Sequence, residues 1–125
     1  MAILDSVTIE VRQGSEVLRP GDWRSKAHAY DVTLAYKGRS MDLPYYKGAS
    51  LTTAPEVTEV LECLVLDADY ADAADEYEFA DMVGMVPSRE VRDMFEQTLA
   101  NTRQLRAMFD DDYNTLLAEI YELNA

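Results

Sequence analysis

Carboxylates dominate the chemistry this sequence offers. Glu56, Glu59 and Glu62 recur at every third residue, and Asp67, Asp69, Asp72, Asp75, Glu76, Glu78 and Asp81 follow them. These ten acids occupy residues 56–81 without one lysine or arginine among them. On a helix, carboxylates three or four positions apart lie about 5–6 Å from each other. DNA carries one phosphate charge per ~1.7 Å of axis when both strands are counted. A folded surface bearing these side chains would thus present negative charge at a density like that of a nucleic-acid backbone. The protein that wants such a surface has a basic groove built for nucleic acid, where its Lys and Arg would meet carboxylates in charge-assisted hydrogen bonds. Association of that kind is fast and salt-sensitive. Tyr70, Tyr77 and Phe79 lie among the acids as candidate anchors, with Phe79 better placed for the core.

Other chemistry has few carriers. The one histidine, His28, falls in a polar loop, and the one thiol, Cys63, falls beside a core stripe and next to Glu62. Burial and a nearby carboxylate raise a thiol pKa, the wrong direction for a nucleophile. A Ser-His-Asp or Cys-His arrangement would need one of these two residues. No catalytic residue is assigned, and a role other than catalysis is expected. Asp110, Asp112 and Asn114 match the first, third and fifth positions of a calcium loop. Thr115 then stands where the loop needs glycine, and Tyr121 where it needs glutamate. Asp67 and Asp69 begin a similar run that Ala71 breaks. This leaves nonspecific association of Mg²⁺ or Ca²⁺ and no dedicated metal site. Neither glycine-rich phosphate motif is present, so no cofactor is expected.

The charge of the whole chain supports the same direction. Over 125 residues the net charge is −13, from 11 basic and 24 acidic side chains. So negative a protein is a poor direct ligand for DNA, RNA or an anionic membrane, and a good one for a basic protein. The imbalance is local. Residues 1–50 hold seven bases and six acids, whereas residues 51–125 hold four bases and 18 acids. The four bases of the second half, Arg89, Arg92, Arg103 and Arg106, share one stretch. An apolar share of 48% is that of a globular protein, and one domain over 1–125 is expected. A single cysteine forms no internal disulfide, no apolar run reaches membrane-span length, and the first residues lack a leader pattern. The expected compartment is a reducing cytoplasm.

The elements that must hold these residues follow from hydrophobic period. Val7, Ile9 and Val11 alternate with polar neighbours, as do Tyr30, Val32, Leu34 and Tyr36, and Met41, Leu43 and Tyr45. Lys37-Gly38 joins the last two runs as a two-residue hairpin turn. Pro44 marks its strand as an edge. The intervening stretch, with Gly14, Pro20-Gly21 and Asp22, reads as a polar loop. Helices follow. Thr53-Ala54-Pro55-Glu56 has capping-box spacing, with Thr53 as N-cap and Pro55 in the first turn, ahead of Val57, Val60, Leu61 and Leu64. Asp75 and Glu78 repeat that spacing before a short helix ended by Gly84. Ser88 starts a longer helix with the stripe Val91, Met94, Phe95, Thr98, Leu99, Thr102, Leu105 and Phe109. Asp110 is the expected cap of a last helix carrying Tyr113, Leu116, Leu117, Ile120 and Tyr121 on one face. The expected fold is α+β: a small three-stranded antiparallel sheet from the N-terminal half, packed against C-terminal helices. Residues 66–75 fit either helix or acidic loop.

The layout also resembles a group of small acidic phage and mobile-element proteins. The resembling residues are Trp23, Tyr30-Asp31-Val32-Thr33-Leu34, Gly38-Arg39-Ser40-Met41 and Tyr46-Lys47-Gly48. They continue through Pro55, Val60-Leu61-Glu62-Cys63-Leu64, Asp67-Ala68, Tyr77-Glu78-Phe79-Ala80, Gly84, Ser88-Arg89 and Arg103-Gln104-Leu105-Arg106. Some similar small acidic proteins act as anti-CRISPR inhibitors, and the chain resembles a type I-C inhibitor. The resemblance implies a DNA mimic that blocks target-DNA binding by a crRNA-guided, Cascade-type effector complex in a bacterial host. Met85-Val86 departs from that group, where a polar turn is commoner. The competing expectation is a non-catalytic phage structural or interaction protein. It would pair through the Arg89–Arg106 helix or near Tyr113 and Tyr121, with acids serving only solubility. Oligomeric state stays open between the two.

Overall fold

The computed structural model describes residues 2–14, 16–19, 29–46 and 54–123. His28, Thr53 and Lys47-Gly48 lie outside them. A short 3₁₀ turn, Ile3–Ser6, leads into strands β1 (Thr8–Gln13), β2 (Glu16–Leu18), β3 (Tyr30–Tyr36) and β4 (Arg39–Tyr46). Helices α1 (Val57–Tyr70), α2 (Glu76–Val83), α3 (Arg89–Phe109) and α4 (Tyr113–Leu123) complete the chain, with a 3₁₀ turn, Asp110–Asp112, between the last two. The class is α+β as expected.

The sheet has four antiparallel strands in the order β2-β1-β3-β4, one more than the sequence led us to expect. The added strand is β2, read above as part of a polar loop. Its three residues are too few to show an alternation, and only Leu18 turns inward, opposite Val11. Gly14, at φ +62°, supplies the left-handed backbone on which the β1–β2 hairpin turns. In the β3–β4 hairpin both turn residues, Lys37 (φ 48°) and Gly38 (φ 77°), have positive φ, the geometry whose twist matches flanking strands.

One face of the sheet is apolar. Val11, Val32 and Leu43 stand in register across it, as do Leu34 and Met41, and all five are buried. A bulge then shifts the register: Val32 pairs with Leu43, but Tyr30 pairs with Tyr46. The extra residue of β4 turns Tyr46 to the core side, where the strict alternation of the sequence had Tyr45. Pro44 sits in this edge strand, as its missing N–H led us to expect, at the irregularity between the Val32–Leu43 and Tyr30–Tyr46 pairs. The other face is polar. Arg12 Nη2 donates to Thr33 Oγ1 at 3.0 Å, and Thr33 donates on to Asp42 Oδ1 at 2.7 Å.

Three helices cover the apolar face. Val60, Leu61, Leu64 and Val65 of α1, Leu105, Met108 and Phe109 of α3, and Leu116 and Ile120 of α4 join it in one core. Glu119 of α4 fastens the first turn of the chain, accepting from the backbone N–H groups of Ile3 at 2.9 Å and Leu4 at 3.1 Å. A smaller second core lies where the N-terminal half of α3 meets α2 and the end of α1. It is built from Ala73, Phe79, Ala80, Val91 and Phe95, with Tyr70, Val83 and Leu99 against it. Phe79 stacks on Phe95 with ring centroids 5.0 Å apart.

The helix starts are mixed. Asp75 accepts from the Glu78 N–H at 2.9 Å and Ser88 from the Val91 N–H at 3.2 Å, as their spacing predicts. Gly84 ends α2 in the left-handed conformation. The box proposed at 53–56 does not place Pro55 in a first turn: α1 begins at Val57, with Glu56 as an N-cap that makes no side-chain bond. Asp110 likewise caps nothing by side chain. It closes α3 at φ 47°, a strained corner for a residue with a Cβ, and opens the 3₁₀ turn.

Candidate functional site

The ten acids of 56–81 fall on α1, the α1–α2 turn and α2, so residues 66–75 are helix as far as Tyr70 and turn thereafter. Around α1 the buried side chains Val60, Leu61, Leu64, Val65 and Ala68 define one arc. Glu62 and Asp69, seven residues apart, share the opposite side with the exposed Leu66. Asp67 lies at the margin of the buried arc. Its side chain reaches solvent, yet partial burial raises its carboxyl above the ordinary value. On α2 the buried Phe79 and Ala80 leave Glu78 and Asp81 facing outward, with Tyr77 on one flank of them and Met82 on the other.

The acids are not equivalent. Glu59 turns toward the sheet, where the half-buried Tyr46 hydroxyl donates to its Oε2 at 3.3 Å and to Cys63 Sγ at 3.6 Å. Burial, then the neighbouring thiol and carboxylate, hold that hydroxyl protonated far above the ordinary tyrosine range. Asp75 caps α2, and Glu78 accepts from the Ala74 N–H at 3.0 Å, so both tie down the turn as well as charging it. Asp72 lies 4.0 Å from Arg106 and Glu76 lies 3.9 Å from Arg92. The arginines of α3 therefore flank the acidic lobe and partly offset it. Such exposed pairs contribute little to stability, about 0–1 kcal/mol each. Among the described residues Glu56, Glu62, Asp67, Asp69 and Asp81 make no such pairing. These five, with Glu78, are the carboxylates best placed to meet an incoming cation.

Of the aromatic residues interspersed with the acids, Phe79 is core and Tyr70 is half-buried, edge-on to Phe79. Only Tyr77, 63% exposed, is open to a partner. Sequence reasoning passed over Leu66 and Met82, which are exposed, as are Met85 and Val86, already marked by the sequence as a departure from a polar turn. Spacing alone did not show it: Met82 stands three residues after the buried Phe79.

A second polar cluster sits at the opposite end of α3. The Tyr36 hydroxyl donates to Asp112 Oδ2 at 2.6 Å, and Lys37 Nζ donates to the same oxygen at 2.9 Å. Arg39 Nη1 donates to the Ala107 carbonyl at 3.1 Å, a helix-end acceptor that α3 itself leaves unpaired, and lies 3.7 Å from Asp110. These residues line an open cleft of about 360 Å³. The Tyr36 ring is buried against Phe109 while its hydroxyl reaches the surface. The hydrogen bond to Asp112 is the leading cause that raises Tyr36 and Lys37, and the bond from Tyr36 is the leading cause that lowers Asp112. Every shift reinforces the resting state of neutral tyrosine, ammonium and carboxylate. Acid–base catalysis near neutral pH needs the reverse. The cluster is a clamp that pins the β3–β4 turn to the α3–α4 corner.

Among the described residues no group of three His, Cys, Asp or Glu side chains is gathered to hold a metal ion. Asp112, one of the calcium-like positions, is committed to Tyr36 and Lys37. No helix among them is long and apolar enough to cross a membrane. No family model matches the chain, and no solved structure matches it. Over 54 residues, 43% of its length, the chain is 37% identical to one subunit of an ATP-dependent helicase/deoxyribonuclease from Moorella thermoacetica. The matched stretch spans 5% of that protein.

Proposed function

We propose that this protein is a non-catalytic inhibitor whose acidic lobe stands in for DNA. It occupies the basic nucleic-acid groove of a partner, and a crRNA-guided effector complex of the type I-C, Cascade-type class is the partner its layout suits. The observation that carries this reading is the folded, exposed set of Asp69 on α1 with Glu78 and Asp81 on α2, beside the half-buried Glu62. The side chains are held on helices, so their charges are ordered before any partner arrives. Lysines and arginines that grip phosphates accept carboxylates by the same hydrogen bonds. Target DNA and this protein then compete for one groove.

The test is a competition assay with purified effector complex and labelled target DNA. The parent is compared with a variant carrying Asp69→Asn, Asp72→Asn, Asp75→Asn and Glu78→Gln. Asn caps a helix as well as Asp, and Gln keeps an acceptor oxygen, so α2 stays folded. The parent is expected to block DNA binding, with potency falling steeply as salt rises. The neutralised variant is expected to lose the block while melting cooperatively. A variant as potent as the parent would remove DNA mimicry.

A second reading has one observation of its own. Tyr121 and Leu123, 54% and 55% exposed, end α4 as an apolar surface suited to a second copy. Under that reading the protein is a phage interaction domain and the acids keep it soluble. Sedimentation of the parent beside Tyr121→Ser separates the two, since only the second predicts a dimer that the substitution dissociates.

A further inference from the structure

The arginines of the second half are not scattered over α3. At about 100° per residue, Arg89, Arg92, Arg103 and Arg106 fall within about 100° of its circumference and span about 25 Å of its length. Of the acids on α3, Glu90 and Asp93 fall outside that arc and only Glu96 falls within it. The row therefore sets four positive charges against one negative, on a chain whose net charge is −13.

The row borders the acidic lobe. Arg92 Nε lies 3.9 Å from Glu76 Oε2, and Arg106 Nη2 lies 4.0 Å from Asp72 Oδ1. Arg106 is also set over the Tyr113 ring, 5.8 Å from its centroid. Both arginine side chains stay exposed, at 55% and 51%, so they show positive charge to solvent while engaged. Arg89 and Arg103 make no ion pair among the described residues. An open cleft of about 350 Å³ between α2 and the start of α3 is lined by Arg89 and Arg92 together with Glu76 and Tyr77. A lysine reaching for Glu76 there meets two guanidiniums.

The lobe thus has two sides of unlike charge. On α2, Glu76 shares the inner side with Phe79, Ala80 and Val83, toward α3, whereas Glu78 and Asp81 lie on the opposite side. Like charges facing each other across an interface reject a wrong alignment, as opposite charges favour the right one.

We propose that the α3 arginine row fixes the orientation in which the acidic lobe docks: it turns a basic partner away from Asp72 and Glu76 and admits it at Asp69, Glu78 and Asp81. The proposal rests on the reading that the partner is basic, and it adds the side from which that partner is met. The arginines are positioning residues, acting through the carboxylates they screen and the cations they repel. A stand-in for DNA without such a row would be negative on every side and would fit a basic groove in several alignments.

Carbodiimide coupling of a short oligolysine peptide to the full chain tests this. The reagent joins a lysine amine to a carboxylate in contact with it as an amide, and mass spectrometry of the digested adduct names the carboxylate. The yield at each acid is divided by its yield with methylamine, which reports the intrinsic reactivity of the group. In the parent, coupling is expected at Asp69, Glu78 and Asp81, and several-fold less at Asp72 and Glu76. Arg92→Gln/Arg106→Gln should bring Asp72 and Glu76 up to the level of the other three, and Arg92→Lys/Arg106→Lys should keep the parent pattern. The pairs are exposed, so these variants stay folded. Arg89→Gln/Arg103→Gln leaves both pairs in place and should shift the pattern in the same direction. Peptide affinity, read by fluorescence anisotropy at low salt, should rise in both glutamine variants. Equal coupling at all five acids in the parent, or a pattern unchanged in the glutamine variants, overturns the orienting row and leaves the basic partner standing. Lower affinity in the glutamine variants also overturns it, by making the arginines contacts. A parent that binds no oligolysine at low salt overturns the basic partner and the row with it.

Discussion

The half of the molecule beneath the sheet and the lobe at the far end of α3 solve different problems. Among the described residues the first core gathers nineteen buried side chains, seventeen from the four strands and three helices plus Val7 and Ala54, and the second gathers five. The polar groups around the first are spent on structure: Glu119 on the first backbone turn, Asp112 on Tyr36 and Lys37, Arg39 on the end of α3. Around the second, many acids and several apolar side chains face solvent with nothing to hold. Burial is concentrated where charge is matched, and the unmatched surface sits on the lobe with the smaller core. One element belongs to both. At 21 residues, α3 is about 30 Å long, with Val91 and Phe95 in one core and Leu105, Met108 and Phe109 in the other.

The largest effect expected from this division comes from truncating each core in turn. Leu105→Ala should cost about 2–5 kcal/mol of global stability, because it opens a cavity where sheet and helices meet. Phe79→Ala removes a comparable side chain from the small core but should melt mainly the lobe. Hydrogen exchange would then speed up in α2 while β3 stays protected. Equal loss of protection in both elements would show one cooperative unit and break the comparison.

Acidification should sharpen it, because the two regions respond with opposite signs. The folded pKa of Asp112 is lowered, so its contribution is present above the ordinary value of 3.8 and is lost as pH falls below it. The folded pKa of Asp67 is raised from the same value, so its burial opposes folding at neutral pH, and protonation relieves this as pH falls toward 3.8. Thermal midpoints against pH should therefore show Asp67→Asn stabilising near neutrality and flattening the curve above 3.8. Asp112→Asn should destabilise near neutrality and flatten it below. Matching signs for the two variants would contradict the assignment.

Much of the framework was legible as period and punctuation. The alternation from Tyr30 to Tyr36 coincides with β3, Lys37-Gly38 is the turn its residue types suggest, and Ser88 and Gly84 mark helix ends. What escaped was set by partners distant in sequence. β2 exists because Leu18 finds Val11, and three residues carry no period of their own. Tyr46 turns inward because a bulge offsets the β3–β4 register, which alternation alone cannot show. The same holds for the candidate site. The acidic run could be read directly, but the duties of Glu59, Asp72 and Glu76 toward Tyr46, Arg106 and Arg92 arise only in the folded chain. Met85-Val86 stood out in the sequence as a departure from a polar turn, whereas the exposure of Met82, three residues after Phe79, arises only from how α2 is seated.

The smallest effect expected lies deep in the larger core. The Tyr30 hydroxyl is buried without a partner among the described residues, in a side chain only 2% exposed. Tyr30→Phe removes a desolvated group that repays nothing, so stability should hold or rise by up to about 1 kcal/mol in a denaturant titration. A loss of more than that would mean the hydroxyl serves the first core as the clamp residues do.

The outer strands of the sheet bear on how the protein behaves when its charge is gone. Near the isoelectric point the repulsion that keeps copies apart vanishes, and exposed strand edges are what molecules then use to stack into aggregates. Here one edge is a strand of three residues, and the other is interrupted by Pro44 and a bulge. Among the described residues neither edge is a long uninterrupted strand. Precipitation at acidic pH should accordingly be amorphous and reversible on returning the carboxylates to their charged state, with no fibrillar phase.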